Sequence, residues 1–215
     1  MNMRLVKQER GFTLIEMIGV LAIIGILAAV LVPKVMDAVA RSKVSGTALI
    51  YNTLRTAAVD YYSKSNAFPV RNGTGTADTA VAAGRFDADL VIGGFIDRLV
   101  SVPLGSLLTS GALTARTHVR SRTAQVSGTV TVTAANSGNN FDLDNNTATS
   151  DFSSGIVIVS LMIPGVPLKD AISLNLLIDN VNNNGSTASD NRGRCIYSAP
   201  AANGTVTIYL YIAHQ

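Results

Sequence analysis

From Phe12 to Val32 the chain runs for 21 residues with a single charged side chain, Glu16. A helix of about 20 apolar residues spans the hydrocarbon core of a bilayer, so this stretch is long enough to cross a membrane. A carboxylate inside such a helix costs roughly 2.5–3.5 kcal/mol on insertion scales and marks a function with a partner. Any fold proposed for this chain must accommodate that segment and give a use for Glu16.

Residues 1–11 form a short basic leader. Arg4, Lys7 and Arg10 against Glu9 leave it with a charge of +2, and the rest of the chain carries 14 basic and 13 acidic side chains. The positive-inside rule keeps the leader in the cytoplasm and sends the chain after Val32 outward. Because the excess charge sits in the leader, the overall +3 is no argument for nucleic acid, which is bound by Lys and Arg clustered on one face. Arg116, Arg120 and Arg122 are the nearest approach to such a cluster and read as a solvated strand or loop. Charged residues are only 14% of the chain, against about a quarter in ordinary globular proteins. Ser, Thr, Asn, Gly and Ala replace them in the second half, a surface suited to the outside of a cell or to packing against copies of itself.

The helical pattern does not stop at Pro33, whose missing N–H predicts a kink. Val44, Ala48, Tyr51, Leu54, Ala58 and Tyr61 recur at three- and four-residue steps with polar residues between them, an amphipathic face. Ser63 to Asn66 and then Phe68-Pro69 give the stop. A helix over 12–64 would be about 80 Å long at 1.5 Å per residue. Residues 65–116 read as a loop region holding a short helical pattern over Phe86–Val100, broken near Gly93-Gly94. From 117 to 215 the period turns to two. Strands are predicted over 117–126, 129–133, 155–163 (ended by Pro164), 194–198 and 205–213, the last two forming a hairpin across 199–204. Residues 167–180 fit a short helix through Leu168, Ile172 and Leu176, and a strand through Ile172, Leu174, Leu176 and Ile178. The expectation is an α+β fold, one long N-terminal helix packed on a small antiparallel sheet.

Catalysis finds little support. His118 and His214 are the only histidines and neither lies in a recognisable motif. A single cysteine, Cys195, excludes an internal disulfide and reads as a small buried hydrophobe. Without a histidine pair at ligand spacing, no zinc site is expected. Asp142-Leu143-Asp144-Asn145-Asn146 has the first oxygen positions of a calcium loop but lacks its glycine and its terminal glutamate. It and Asp179 with Asn182–Asn184 read as polar turns making local backbone bonds. The chain is therefore expected to be no enzyme and to use no cofactor or metal.

The segment Arg10-Gly11-Phe12-Thr13-Leu14-Ile15-Glu16 resembles the prepilin cleavage and methylation signal of type IV pilins and type II secretion pseudopilins. The resemblance implies a cut between Gly11 and Phe12 by a membrane-embedded prepilin peptidase, which also N-methylates Phe12. It places Glu16 where the family carries its embedded carboxylate, Gly25 at a glycine-tolerant position and Pro33 where members kink. It further implies a filament subunit whose partners are that peptidase, related subunits, the inner membrane and the pilus or type II secretion assembly platform. The head would be periplasmic, and the assembled fibre an extracellular pilus or a periplasmic pseudopilus. The 204 residues after Gly11 favour a pilus subunit or larger minor pilin over a compact pseudopilin.

The residues give the same role a physical form. Cleavage would leave a free amine at Phe12, one helical turn from Glu16, and in a bundle of like helices the amine of a neighbouring copy could neutralise the carboxylate. Such a pair at 4 Å with an effective ε of about 20 is worth roughly 4 kcal/mol before desolvation. Its main effect is on register, because an unpaired charge there is strongly penalised. Identical subunits joined head to tail without closure make a helical filament. A plain signal anchor holding a periplasmic binding protein, or an adhesin presenting loops 136–154 and 182–192, are the competing readings. An anchor has no need of Gly11, Glu16 or the amphipathic continuation.

Overall fold

The computed structural model describes residues 11–69, 86–105, 117–123, 141–144, 151–153, 155–180 and 192–215. The chain divides into two units, Met1–Ala40 and Arg41–Gln215. Helix α1, Leu14–Ser65, enters both and continues through Pro33. In the first unit the helix is apolar around its whole circumference, and its side chains are exposed almost to the last residue.

The second unit is a helix-on-sheet core. Helix α1 contributes one face, burying Val44, Thr47, Tyr51, Leu54, Ala57 and Ala58. Ala48 and Tyr61, predicted on the same face, are partly buried beside them. Thr47 can be buried there because its hydroxyl donates to the Lys43 carbonyl one turn back at 2.9 Å. Asn66, in the left-handed conformation at φ 56°, ends the helix, and its N–H donates to the Tyr62 carbonyl at 2.8 Å. Helix α2, Phe86–Ile92, ends as the glycines predict. Gly94 takes φ 72°, Gly94 N–H donates to the Val91 carbonyl and Phe95 N–H to the Leu90 carbonyl, the paired bonds of a Schellman cap. The buried Asp87 carboxylate accepts from Val100 N–H at 3.0 Å and ties the segment after the helix back to it.

The sheet has four antiparallel strands in the order β1-β2-β4-β3, with β1 His118–Thr123, β2 Val157–Pro167, β3 Cys195–Tyr197 and β4 Thr205–His214. The predicted strand over 129–133 lies outside the described residues. Two-residue periodicity sorts the side chains. Val157, Val159, Leu161 and Ile163 of β2, Val206, Ile208, Leu210 and Ile212 of β4, and Cys195 and Tyr197 of β3 join the α1 face in one core. Ile158, Met162, Ile196, Tyr209 and Tyr211 form a second cluster with Phe141 and Phe152. The sheet is therefore buried on both faces.

Two expectations are corrected. Pro164 does not end β2, which continues to Pro167. Between Ile163 and Val166 the pairing with β4 shifts register, and Gly165 takes φ 67° there. A bulge is where a strand tolerates a residue without an N–H, so the proline bends the strand without stopping it. Arg120 is not solvated: it is buried in β1 opposite Ser160, because β1 pairs along its length with a strand covered on both faces. The side chain of Arg122 and the whole of Arg116 lie outside the described residues. The two readings of 167–180 resolve in favour of helix α3, Leu168–Asp179, with Pro167 at its start and Asn180, φ 53°, closing it. Leu174 and Ala171 turn to the core and Leu176 and Leu177 to solvent, a period the strand reading could not satisfy.

One hydrogen bond couples helix and sheet across 160 residues of sequence: the Tyr51 hydroxyl donates to the Tyr211 carbonyl at 2.5 Å. Burial pushes the Tyr51 phenol up to about 12, with Arg55 and Arg194 opposing the rise. Burial also raises Tyr211. Tyr51→Phe should lower stability by about 1–3 kcal/mol at neutral pH, since the Tyr211 carbonyl loses its donor. A phenol raised on folding stabilises fully below its ordinary value of 10.0 and loses that contribution as pH climbs to about 12. Urea denaturation of the native chain should therefore show an alkaline loss on the order of 2 kcal/mol. The loss should be smaller in Tyr51→Phe; an identical alkaline slope in both would remove Tyr51 from this role.

Candidate functional site

The candidate site is the start of α1. Gly11, Phe12 and Thr13 precede the helix, and Phe12 is 85% exposed. Thr13 caps the helix in a reciprocal arrangement. Its Oγ1 accepts from Glu16 N–H at 3.3 Å, while Glu16 Oε2 accepts from Thr13 N–H and from Thr13 Oγ1–H, both at 2.8 Å. This is a capping box, which satisfies two of the donors that every helix start leaves open. The sequence signal was present as Thr13-x-x-Glu16 ahead of an apolar run, and reading Glu16 only as an intramembrane charge passes over it. Glu16 thus has a partner within its own chain, three residues back and one residue from Phe12.

Beyond the cap, seventeen large apolar side chains from Phe12 to Val39 are each 45–85% exposed. Burying such a side chain yields about 1.5–3 kcal/mol, so the exposed surface represents tens of kcal/mol against a typical domain stability of about 5–15 kcal/mol. No described part of the chain covers it. The helix is long and apolar enough to cross a membrane by length and composition.

The glycines point the same way. A Cβ added at Gly11, Gly19 or Gly25 would meet nothing within 4 Å among the described residues. Glycine inside a helix costs about 1 kcal/mol relative to alanine, and no described residue gives Gly19 or Gly25 a compensating contact. Gly25 and Pro33 lie along this helix with Glu16 near its start, but they do not converge with it into a pocket.

The other described candidates lie in the second unit. Asp179 at the end of α3 accepts from the backbone N–H groups of Arg194 at 3.0 Å and Cys195 at 2.8 Å, docking the helix onto the start of β3. Asn182–Asn184 lie outside the described residues. Cys195 is buried in the core. His214 meets the Tyr211 hydroxyl through Nδ1 and the edge of Phe152 at 5.1 Å between ring centroids. Asp142 and Asp144 come together with Asp151, which the sequence did not single out, their oxygens within 4.8 Å of one another. Asp151 accepts from the N–H groups of Leu143 and Asp144, and the Asp142 carbonyl accepts from Gly193 N–H at 2.6 Å, which ties this turn to the segment ahead of β3.

Comparison with known proteins meets the chain at this same end. The family model for the prokaryotic N-terminal methylation motif matches residues 6–32. A type IV major pilin protein, PilE1 of Neisseria gonorrhoeae, is 42% identical over 72 residues, 34% of this chain and 34% of that protein. Fimbrial protein EcpC of Eikenella corrodens is 37% identical over 84 residues, 39% of this chain and 54% of its own. A fimbrial protein of Pseudomonas aeruginosa is 48% identical over 52 residues, 24% of this chain and 34% of its own. The chain thus spans a third to about half the length of these relatives. No solved structure matches it.

The cap has a direct test. Thr13→Val removes Oγ1 and should cost the helix start about 1 kcal/mol. In detergent micelles the amides of Leu14 to Glu16 should exchange with solvent faster, while those of the Val44–Tyr51 segment stay as they were. Unchanged exchange at Leu14–Glu16 would show that the box does not hold the helix end.

Proposed function

We propose that this chain, which matches the N-terminal methylation motif over residues 6–32 and resembles a type IV major pilin over 34% of its length, is a structural subunit of a type IV pilus-like filament. One observation carries the reading. An apolar helix with no cover among the described residues begins at the motif Gly11-Phe12-Thr13-Leu14-Ile15-Glu16, and the match to the N-terminal methylation motif falls there. The relatives' names, pilin and fimbrial protein, favour a pilus over a type II secretion pseudopilus and over a signal-anchored binding protein. The role is structural and not catalytic.

In this reading the precursor sits in the inner membrane with residues 1–11 in the cytoplasm and the head in the periplasm. Prepilin peptidase cuts between Gly11 and Phe12 and methylates Phe12. Removing the leader takes away the charges that hold the helix at the membrane face. The same apolar surface that met lipid then packs against identical helices on the assembly platform. Gly25 would allow a neighbouring helix to approach closely, and Pro33 would break one backbone bond and bend the stem. Glu16, held beside the chain start by Thr13, would accept the Phe12 amine of the neighbouring copy. That contact sets the axial step of a head-to-tail assembly.

Co-expression with a prepilin peptidase should yield a chain beginning at N-methylated Phe12 by mass spectrometry; an intact leader would sink the assignment. Gly11→Val should block the cut. Glu16→Ala should be processed as efficiently as the native chain but be absent from sheared filaments. Normal incorporation of that variant would remove the assembly role of the carboxylate.

A further inference from the structure

A groove in the second unit has the chemistry of a ligand site. It encloses about 460 Å³ between α1, α3 and the start of β3, and is lined by Leu49, Tyr51, Asn52, Arg55, Leu177 and Arg194, with Ile178 and two small residues completing the wall. That volume falls within the range of about 300–1,000 Å³ typical of small-molecule pockets. Two guanidiniums share it, and among the described residues no carboxylate lines it. The side chain of Arg55 rests over the Tyr51 ring, Cζ 5.9 Å from the centroid. Both arginines favour the ionised forms of Tyr51 and of Tyr211, so their charges lie within electrostatic reach of the same two phenols.

Asp179, whose charge also reaches Tyr51, commits its carboxylate oxygens to backbone donors, the N–H groups of Arg194 and Cys195. Arg55 is half-buried and held by the aromatic ring, which lowers the entropy lost when its planar fork engages an anion. Leu49 and Leu177, both largely exposed, come from different helices and flank the charged floor with apolar surface. A pair of arginine forks presents donors that match the oxygens of a carboxylate or phosphate. The apolar rim has no use for a bare inorganic ion.

We propose that this groove binds a small organic anion, a carboxylate or phosphate monoester on an apolar body. Arg55 and Arg194 hold the anionic oxygens, the Asn52 amide adds a donor, and Leu49 and Leu177 cover the body.

The test uses the full chain in zwitterionic detergent micelles, titrated with phenyl phosphate, benzoate and inorganic phosphate by calorimetry. Phenyl phosphate or benzoate should saturate one site, and the stronger of the two identifies the anion class. Inorganic phosphate should bind more weakly than phenyl phosphate. Arg55→Gln and Arg194→Gln should each weaken binding by about tenfold or more, and Arg98→Gln, an exposed arginine outside the groove, should leave it unchanged. Arg194 is exposed, so its replacement tests the site without threatening the core. Absence of saturable binding of both organic anions at about 10 mM overturns the proposal. So does equal weakening by Arg98→Gln. Self-association of the chain that depends on Arg55 and Arg194, without binding of either anion, also overturns it and assigns the groove to a carboxylate of a second copy.

Discussion

The surface from Phe12 to Val39 governs everything else in this protein. Its exposed side chains carry more hydrophobic free energy than a domain of this size has stability. The chain cannot hold that surface in water, and no described part of it folds back as cover. Two apolar environments fit a single helix that is greasy on every side: a lipid bilayer and a bundle of like helices. A helix destined for one side of a core would have polar residues on the other, as α1 does beyond Arg41.

That contrast within one helix divides the labour. Up to Ala40 the helix contributes nothing to the described core. From Val44 to Ala58 it contributes a full face, pinned by the Tyr51 hydroxyl to the backbone of β4. Within the second unit, that segment of the helix is thereby fixed to the sheet through packing and one buried hydrogen bond. The capping box at Thr13 and Glu16 acts at the other end, where an open helix start in an apolar medium would leave backbone donors unmet. A carboxylate that looks like a liability in the apolar run satisfies a donor that the run itself creates.

Long-period features were legible in the residues. The apolar run, the amphipathic continuation, the glycine break after α2 and the alternation in β2 and β4 are local patterns, each set by side chains within a few residues of one another. What could not be read depended on partners distant in sequence. Pro164 looked like a strand end because the bulge that absorbs it exists only against β4. Arg120 looked solvated because the burial of β1 depends on its pairing with β2, which lies far from it in sequence. Asp151 joins Asp142 and Asp144 only after the turn closes. The role of Asp179 is set by backbone groups fifteen and sixteen residues away. The Thr13 cap is the exception, a local pattern that was readable and masked by the more conspicuous charge.

By itself the sequence determined that this protein has an apolar stem beginning at Gly11-Phe12, a carboxylate near the start of that stem, and an α+β head. Those follow from the order of apolar, glycine, proline and charged residues along one helix, and helix geometry converts order into faces without help from the rest of the chain. Only the tertiary structure decided that both faces of the sheet are covered, that Tyr51 closes on Tyr211, and that Arg55 and Arg194 meet across a groove. Each joins residues far apart in the chain, and which of them meet is settled by packing over the whole core, a property that no short stretch of sequence contains.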